Sequence, residues 1–382
     1  MSAPARPAGD PVPLVARPPS VAARPRPARG EPSMRAAVVR TYGQPLSYDV
    51  VAIPEPPPGE ALLRVRAVGI CATDLKVASG SLDGMSTVPV IPGHEVAGDV
   101  VAARGHPELE GRRAAVYLYD TCGACLWCAS GRATLCRSAV RPGIERDGGM
   151  AGFVAVPVAC LLTFGSGLSY AHAAVTMDAV TTPWGALHGR AGLRAGERVA
   201  VVGSGGLGLN GIQIALGAGA EVAVIDPAPG ARELAVKLGA GLAVGPDELD
   251  AVRAWAGAGG GVDLALETSG VRAGFDAAVA VLRPGGRVVC NGYQPGLEYG
   301  LDSRRLVLDE IDVLGSRVAS REDARAALDA VERGDVRPHV SRTLPLARVN
   351  EALGLLRGGE VEGRLVLEPE DTAPVDGSTQ PA

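Results

Sequence analysis

One segment near the middle of the chain constrains the fold most strongly. Between residues 197 and 220, a short apolar run is followed by a glycine-rich turn and then by an apolar, helix-like stretch. The run ERVAVVG is continuously apolar, which is typical of a strand buried on both faces of a sheet. Further apolar runs follow in EVAVID, VDLALE and GRVVCNG, with helix-like stretches between them. This alternation predicts an α/β fold with a doubly wound parallel sheet.

The turn in this segment predicts a dinucleotide site. It carries Gly203, Gly205 and Gly208 in G-x-G-x-x-G spacing, with Gly206 between them. Such glycines allow a tight turn and let a pyrophosphate approach the N-terminus of the following helix. Asp226 ends the next predicted strand, where a carboxylate can accept hydrogen bonds from both ribose hydroxyls, which favours NAD over NADP. The alternative interpretation is a plain glycine turn with Asp226 capping a helix.

The N-terminal part of the chain has a different texture. Residues 35–160 are predicted to be rich in strands, because ALLRVRAVGI, HEVAGDVVAA and GRRAAVYLY alternate between apolar and polar positions. Residues 1–33 are rich in Pro, Ala and Arg and show no apolar periodicity, so we expect them to be disordered. The polar tail, residues 370–382, is also predicted to be disordered.

Four cysteines stand close together and predict a metal site. Cys122, Cys125, Cys128 and Cys136 offer four thiolates within one loop, which suits a tetrahedral structural zinc. An iron–sulfur cluster and free thiols are the alternatives, although the spacing differs from ferredoxin runs. The odd total of seven Cys and the lack of an apolar leader argue against a disulfide framework. We therefore expect a reducing, cytoplasmic environment.

A second set of candidate metal ligands is spread over three segments. Cys71, His94 and Asp178 would supply the three protein ligands of a catalytic zinc that keeps one open position. Singly, each has a structural explanation: a small core residue, a turn residue after Pro92-Gly93, and a helix residue. Distance along the chain alone does not bring them together.

Composition excludes two classes of protein. The formal net charge is −5, which opposes a nucleic-acid-binding role. No run of 18 apolar residues is present, which opposes a membrane span. Only Lys76 and Lys237 are lysines, so we interpret the excess of arginine as compositional bias rather than as a sign of phosphate chemistry.

Six motifs occur in order from Met34 to about Glu368: GICATD, PGHEVAG, the four-cysteine segment, AAVTMDAVTTPWGAL, GSGGLG and GRLVLE. In these the chain resembles the zinc-containing medium-chain dehydrogenase/reductase, or alcohol dehydrogenase-like, superfamily. The resemblance implies a GroES-like catalytic domain at residues 34–182 and 318–369, with a structural-zinc lobe at 120–137. It also implies a Rossmann domain at residues 183–317.

The resemblance implies an activity as well. We expect reversible, zinc-dependent and NAD-linked oxidation of a secondary alcohol, such as a polyol, cyclitol or amino alcohol, to a ketone. Two zinc ions per chain and a homodimer or homotetramer are implied too. Reduction of a carbonyl or a conjugated double bond with NAD(P)H stays open as an alternative, although an intact Thr73 opposes it. A non-catalytic zinc-lobe protein is opposed by the retention of both ligand sets and the cofactor motif.

Around the catalytic zinc, the resemblance assigns roles residue by residue. Cys71, His94 and Asp178 match the zinc ligands, and Glu95 matches a carboxylate that can approach the metal during ligand exchange. Asp74 matches the partner that orients the ligating histidine. Thr73 matches the residue that bonds the substrate hydroxyl, and Lys76 stands where several members have a histidine that ends a proton relay.

On the cofactor side, Thr182 matches a residue that packs on the nicotinamide, and Arg364 matches an arginine that reaches the pyrophosphate. Trp184, two residues beyond Thr182, is a candidate for the substrate pocket. Asp178 departs from the family pattern, because many members have Cys or Glu at this position. Ala72 departs as well, since some members have a basic side chain there.

Overall fold

The structure is a computed structural model that describes residues 20, 23, 26–28, 30–82 and 84–370. Most of the N-terminal segment predicted to be disordered, and residues 371–382 of the predicted tail, lie outside these residues. Within the described part, Ser20 donates a hydrogen bond to the Asp147 carboxylate at 2.8 Å. Ser33 already belongs to the first strand. None of the described helices has the length and apolar character needed to cross a membrane.

The first half of the chain consists mainly of antiparallel strands. Its elements are β1 (Ser33–Val38), β2 (Ser47–Ala52), β3 (Glu60–Ile70), α1 (Ala72–Ser79), β4 (Glu95–Ala103), β5 (Arg113–Val116), α2 (Leu126–Ala129), β6 (Phe153–Pro157) and β7 (Leu161–Thr163). Strand β3 alternates buried and half-buried residues along most of its length, as its sequence pattern predicts. Its last four residues are all buried, so the chain enters α1 from the protein interior.

A continuous helical stretch follows the strands. It comprises α3 (Tyr170–Val175), a π-helical turn at Thr176–Val180, α4 (Thr181–Trp184) and a second π-helical turn at Gly185–Arg190. All five residues of the first π turn are buried. Such widened turns occur often at functional sites, and this one contains Asp178.

The second half of the chain alternates strands and helices. Its elements are β8 (Arg198–Val202), α5 (Gly208–Gly217), β9 (Glu221–Ile225), α6 (Pro229–Lys237), β10 (Leu242–Val244), α7 (Leu249–Trp255), β11 (Val262–Glu267), α8 (Arg272–Ala280), β12 (Leu282–Cys290), α9 (Ser303–Leu308), β13 (Asp312–Gly315), α10 (Arg321–Arg333), β14 (Val340–Pro345), α11 (Val349–Arg357) and β15 (Arg364–Glu368). Strands β8 to β13 pair in parallel in the order β10-β9-β8-β11-β12-β13. This is the predicted doubly wound sheet, and its strand order reverses between β8 and β11.

The chain returns to the first sheet at its end. Strand β15 pairs antiparallel with β3 and so joins the sheet of the first half, whose order is β14-β15-β3-β4-β5-β7, with β6 also on β3. The strands of this seven-stranded sheet therefore lie at residues 60–163 and 340–368, on both sides of the six-stranded sheet in sequence. One sheet thus combines strands from two separate parts of the sequence. The boundaries predicted at residues 182/183 and 317/318 stay predictions.

Candidate active site

The fold brings Cys71, His94, Glu95 and Asp178 together. Cys71 caps the N-terminus of α1, His94 and Glu95 stand where β4 begins, and Asp178 lies in the π-helical turn. One ligand atom from each lies within 4.8 Å of those of the others. All four side chains are buried, with Cys71 and Asp178 each 8% exposed. Three segments that are distant in sequence thus form one buried cluster.

The residues of this cluster fit a zinc ion. The Cys71 Sγ atom lies 3.3 Å from Asp178 Oδ2, and His94 Nε2 lies 4.0 Å from the same oxygen. A tetrahedral zinc with its usual bond lengths holds ligand atoms roughly 3.3–3.8 Å apart. A thiol, an imidazole and a carboxylate are also the donor types of catalytic zinc sites with an open position.

Asp74 fixes the orientation of two members of the cluster. Its Oδ2 atom accepts a hydrogen bond from the Cys71 amide at 2.9 Å. Its Oδ1 atom lies 3.1 Å from His94 Nδ1 and accepts from the Gly93 amide at 3.3 Å. Burial disfavours a charged imidazole, but the Asp74 carboxylate outweighs it and raises the pKa of His94 well above its usual value. Because Nδ1 is engaged by Asp74, Nε2 is the nitrogen that faces the cluster.

Glu95 is buried beside the cluster with one oxygen unpaired. Its Oε1 atom accepts from Arg364 Nε at 3.0 Å. Its Oε2 atom finds no hydrogen-bond partner among the described residues. A Cβ at Gly69 would lie 2.0 Å from this oxygen, so the carboxylate packs directly on the backbone of β3. Burial raises the pKa of Glu95 to about 8, although the Arg364 guanidinium lowers it.

Arg364 lies between the cluster and the glycine-rich turn. Its Nη2 atom donates to Asp178 Oδ2 at 3.1 Å. A Cβ at Gly206 would lie 2.0 Å from its Nη1 atom. The guanidinium therefore lies against the turn where a pyrophosphate is expected. It also pairs with the carboxylates of Glu95 and Asp178, which the sequence did not indicate. Its contact with a pyrophosphate stays a prediction.

The four-cysteine lobe forms a second candidate metal site. The Sγ atoms of Cys125 and Cys128 lie 3.5 Å apart, and those of Cys136 and Cys122 also lie 3.5 Å apart. Cys122 and Cys128 are separated by 3.9 Å. Four sulfurs around a tetrahedral zinc are about 3.8 Å apart, so this group also fits. The backbone amides of Ala124 and Cys125 lower the pKa of Cys122 to about 6, which favours the thiolate that a metal requires.

Glycines determine the shape of the turn between β8 and α5. Gly203 has a φ angle of +86°, which favours glycine. A Cβ at Gly208 would lie 1.9 Å from the Gly203 carbonyl oxygen, so the first turn of α5 can pack on β8 only without a side chain there. No atom would lie within 4 Å of a Cβ at Gly205, which leaves the outer side of the turn open.

Asp226 holds the turn from the end of β9. Its Oδ2 atom accepts from the Ser204 amide at 2.6 Å and from the Ser204 hydroxyl at 2.9 Å. Its Oδ1 atom accepts from the Ala228 amide at 2.8 Å, just before α6. The Asp226 carboxylate therefore lies beside the turn, where a residue that binds the ribose would lie. It also forms a hydrogen bond at the start of α6, as the alternative interpretation of a helix cap expects.

One cleft of about 680 Å³ extends from the metal cluster to Leu207 in the glycine-rich turn. Cys71, His94 and Asp178 line it together with Thr73, Lys76 and Thr182. The Thr182 hydroxyl donates to Asp178 Oδ1 at 2.8 Å. Lys76 Nζ donates to the Tyr293 carbonyl oxygen at 2.8 Å and lies 3.5 Å from the centroid of the Tyr293 ring. Burial lowers the pKa of Lys76.

Trp184 requires a correction, because it is absent from the lining of this cleft. Its ring packs on His188, with centroids 4.8 Å apart. Two residues along a helix turn a side chain by about 200°, so Trp184 points away from the face that Thr182 presents to the cluster.

The sequence interpretation missed Arg141 and Arg317, which both line the cleft. Arg317 follows β13, and ligands of parallel sheets bind beyond the carboxyl ends of strands, so its position carried a usable signal. Arg141 follows the cysteine lobe within irregular backbone, where no periodicity marks it.

Comparison with known proteins agrees with the geometry. A model of the alcohol dehydrogenase GroES-like domain matches residues 57–165, and a model of zinc-binding dehydrogenases matches residues 206–333. An alcohol dehydrogenase of Geobacillus stearothermophilus is 34% identical over 338 residues, which cover 88% of this chain and 99% of the relative.

Solved structures are similar over nearly the whole chain. A zinc-binding dehydrogenase of Sinorhizobium meliloti bound to NADP superimposes with a TM-score of 0.80 at 32% identity, covering 88% of this chain and 99% of the other. An acetophenone reductase of Geotrichum candidum in complex with NAD has a TM-score of 0.79 at 30% identity, covering 89% and 98%. Together with the two domain matches, these similarities confirm that the chain is an oxidoreductase of the zinc-containing alcohol dehydrogenase family, within the medium-chain dehydrogenase/reductase superfamily.

Proposed function

We propose that the chain is a zinc-dependent, NAD-linked dehydrogenase that oxidises a secondary alcohol to a ketone reversibly. The single observation that carries the proposal is the shared cleft. The Cys71, His94 and Asp178 cluster and Thr73 face the same space as Leu207 and Thr268, which flank the glycine-rich turn and the end of β11. A substrate in this space would contact both a metal site and a cofactor site.

The side chains of the cluster would bind and orient the metal that the reaction requires. Cys71, His94 and Asp178 would hold the zinc, and Asp74 keeps His94 Nε2 turned towards it. When bound, zinc supplies Lewis-acid polarisation of the substrate oxygen, and a nicotinamide supplies the hydride acceptor. The Arg364 guanidinium pairs with both Glu95 and Asp178 and holds the two carboxyl groups in place within the buried site.

Two side chains of α1 are positioned to handle the proton. Thr73 is half-buried in the cleft wall, where its hydroxyl can accept the proton of the substrate alcohol and release its own. Lys76 lies one turn further along the same helix face and also lines the cleft. Its amine, held at the Tyr293 carbonyl, can end the proton path at the edge of the site.

The preference for NAD is part of the proposal. Asp226 lies at the end of β9, beside the turn, and a carboxylate there repels a 2′-phosphate. Its hydrogen bonds to Ser204 and Ala228 hold it in place in the absence of a ribose.

We also propose a homo-oligomer. Strand β13 lies at an edge of the six-stranded sheet, and the preceding helix α9 presents Val307 and Leu308 with 67% and 70% of their surfaces exposed. Light scattering after size exclusion should give a dimer or tetramer mass.

We propose the cytoplasm as the location of the protein, because thiolates that act as metal ligands are compatible with a reducing environment.

A panel of secondary alcohols tests the activity. Zinc-loaded protein should reduce NAD with at least one polyol, cyclitol, amino alcohol or simpler secondary alcohol, followed by nicotinamide absorbance. The Thr73→Ala variant should lower kcat by about 10²–10⁴-fold, the range of a positioned acid–base group. Thr343→Ala, at an exposed position of β14, is the matched control and should leave kcat unchanged. Equal kcat in Thr73→Ala and the wild type would contradict the proton path.

A further inference from the structure

Two arginines approach one aromatic ring inside the cleft. The Arg141 Cζ atom lies 5.9 Å from the centroid of the Tyr119 ring, and the Arg317 Cζ atom lies 5.5 Å from the same centroid. All three residues line the cleft that contains the metal cluster. Arg141 follows the cysteine lobe, whereas Arg317 follows β13, so both sheets contribute to this group. The two guanidinium groups therefore converge on one part of the cleft wall.

The positive charge of the side chains that line the cleft exceeds the negative charge there. Arg141 is nearly buried and pairs with Glu145, whose Oε2 atom accepts from Arg141 Nε at 2.9 Å. Arg317 forms no ion pair within the described part of the chain, and Lys76 forms none there either. Among the lining residues, Asp178 is the one carboxylate, and it belongs to the metal cluster. Two cationic side chains thus face the cleft without a partner of opposite charge.

The surroundings increase the effect of this charge. Leu82, Met85, Leu118 and Ile144 line the same cleft, and such apolar walls lower the local dielectric constant. Cations in an apolar cleft attract a compact anion strongly, and an arginine can bind a carboxylate or phosphate through two parallel hydrogen bonds.

The cofactor does not account for this group. A pyrophosphate is expected at the N-terminus of α5, where the open side of Gly205 and the Arg364 guanidinium already provide its site. Arg317 follows β13, but its guanidinium lies over the Tyr119 ring, and Tyr119 and Arg141 belong to the half of the molecule that carries the metal cluster. The unmatched charge is therefore available to the substrate.

We infer that the substrate alcohol carries an oxyanionic group, a carboxylate or a phosphate, which Arg317 binds beside Tyr119, with the Arg141 guanidinium, itself paired with Glu145, next to it. The inference rests on the proposed function, because it names the substrate class of the same site. It narrows the secondary alcohols to hydroxy acids and hydroxyalkyl phosphates. Arg141 and Arg317 then determine specificity, while the metal cluster and Thr73 act on the hydroxyl.

Binding of matched ketone pairs tests this inference without requiring turnover. Protein loaded with zinc and oxidised NAD, which cannot reduce a ketone, is titrated calorimetrically with acetoacetate and its neutral methyl ester, and with dihydroxyacetone phosphate and neutral dihydroxyacetone. At least one anion should bind about tenfold more tightly than its neutral partner, as one charge-assisted hydrogen bond would give. The pair that shows the larger ratio distinguishes a carboxylate from a phosphate.

Variants assign the preference to the arginines. Arg317→Gln, at an exposed position, should abolish the ratio without disturbing the core, and Arg141→Gln should lower it as well. Arg342→Gln, an exposed arginine outside the cleft, is the control and should keep the ratio. Equal or absent binding in both pairs, or a ratio that persists in Arg317→Gln, would overturn the inference.

The same preparation separates the two proposals. If neither 3-hydroxybutyrate, glycerol 3-phosphate nor any neutral alcohol reduces NAD, the proposed dehydrogenase activity fails, whatever the calorimetric ratio. If neutral alcohols are oxidised and the anions bind no better, the dehydrogenase stands and the oxyanion site is rejected.

Discussion

Replacing Asp74 by Asn tests how far one buried carboxylate organises the metal cluster. In the structure both oxygens of Asp74 face donors: the amides of Cys71 and Gly93 and the Nδ1 atom of His94. Asn has nearly the same shape but offers only one oxygen. Its NH₂ group must therefore oppose either the Cys71 amide or the His94 side, and a donor that faces a donor loses its hydrogen bond.

The size of the effect follows from these contacts. Asp74 is 1% exposed, so water cannot replace a lost partner. Loss of a hydrogen bond to a buried charged group costs about 1.5–3 kcal/mol. This agrees with the 10–100-fold loss of metal affinity, about 1.4–2.8 kcal/mol, that follows removal of a partner of a ligating histidine. We therefore expect Asp74→Asn to lower the affinity for one of two bound zinc ions, the one at the cluster, by about 10–100-fold.

A chelator competition measures this affinity. Zinc is titrated into metal-free protein in the presence of a colorimetric chelator. The cysteine lobe serves as an internal reference, because the hydrogen bonds of the Asp74 side chain go to Cys71, Gly93 and His94. Asp49→Asn, in a partly exposed ion pair with Arg40, is the control variant. Unchanged affinity at both sites in Asp74→Asn would refute the assignment of Asp74 as a positioning residue.

Two further predictions concern the cofactor half. Gly208→Ala should lower the free energy of unfolding in urea by about 1–3 kcal/mol, because its Cβ would overlap the Gly203 carbonyl. Gly205→Ala is the control and should leave this free energy unchanged, because the space there is open. Equal free energies of unfolding in the two variants would contradict the packing argument. Asp226→Ala should raise the KM for NAD and reduce the discrimination against NADP, measured as the ratio of kcat/KM values; an unchanged ratio would remove Asp226 from the cofactor site.

Much of the fold was accessible from the sequence because short-range patterns determine it. The continuous apolar runs that became β8, β9 and β11 and the glycine-rich turn before α5 each carry a local signal. Helix α10 also carries local signals, because Ser320 caps its N-terminus and Gly334 ends it. The cysteine lobe was accessible for the same reason, since its ligands are neighbours in sequence.

Other features depend on contacts between distant segments, and the residues gave no local signal for them. The pairing of Arg364 with Glu95 and Asp178 joins residues from three elements. The direction in which Trp184 points depends on the helical phase set through the π turn at Thr176–Val180. Arg141 lies near Tyr119 because their neighbours Val140 and Asp120 pair in an isolated antiparallel bridge, which joins residues twenty positions apart.

The number of zinc ions per chain tests the central claim most directly. Elemental analysis of purified protein should give about two zinc ions, one for the cluster and one for the four-cysteine lobe. Cys71→Ala should lose one of them and its activity together, and Cys136→Ser should lose the other. One zinc per chain that is unchanged in Cys71→Ala would contradict a catalytic zinc at Cys71, His94 and Asp178.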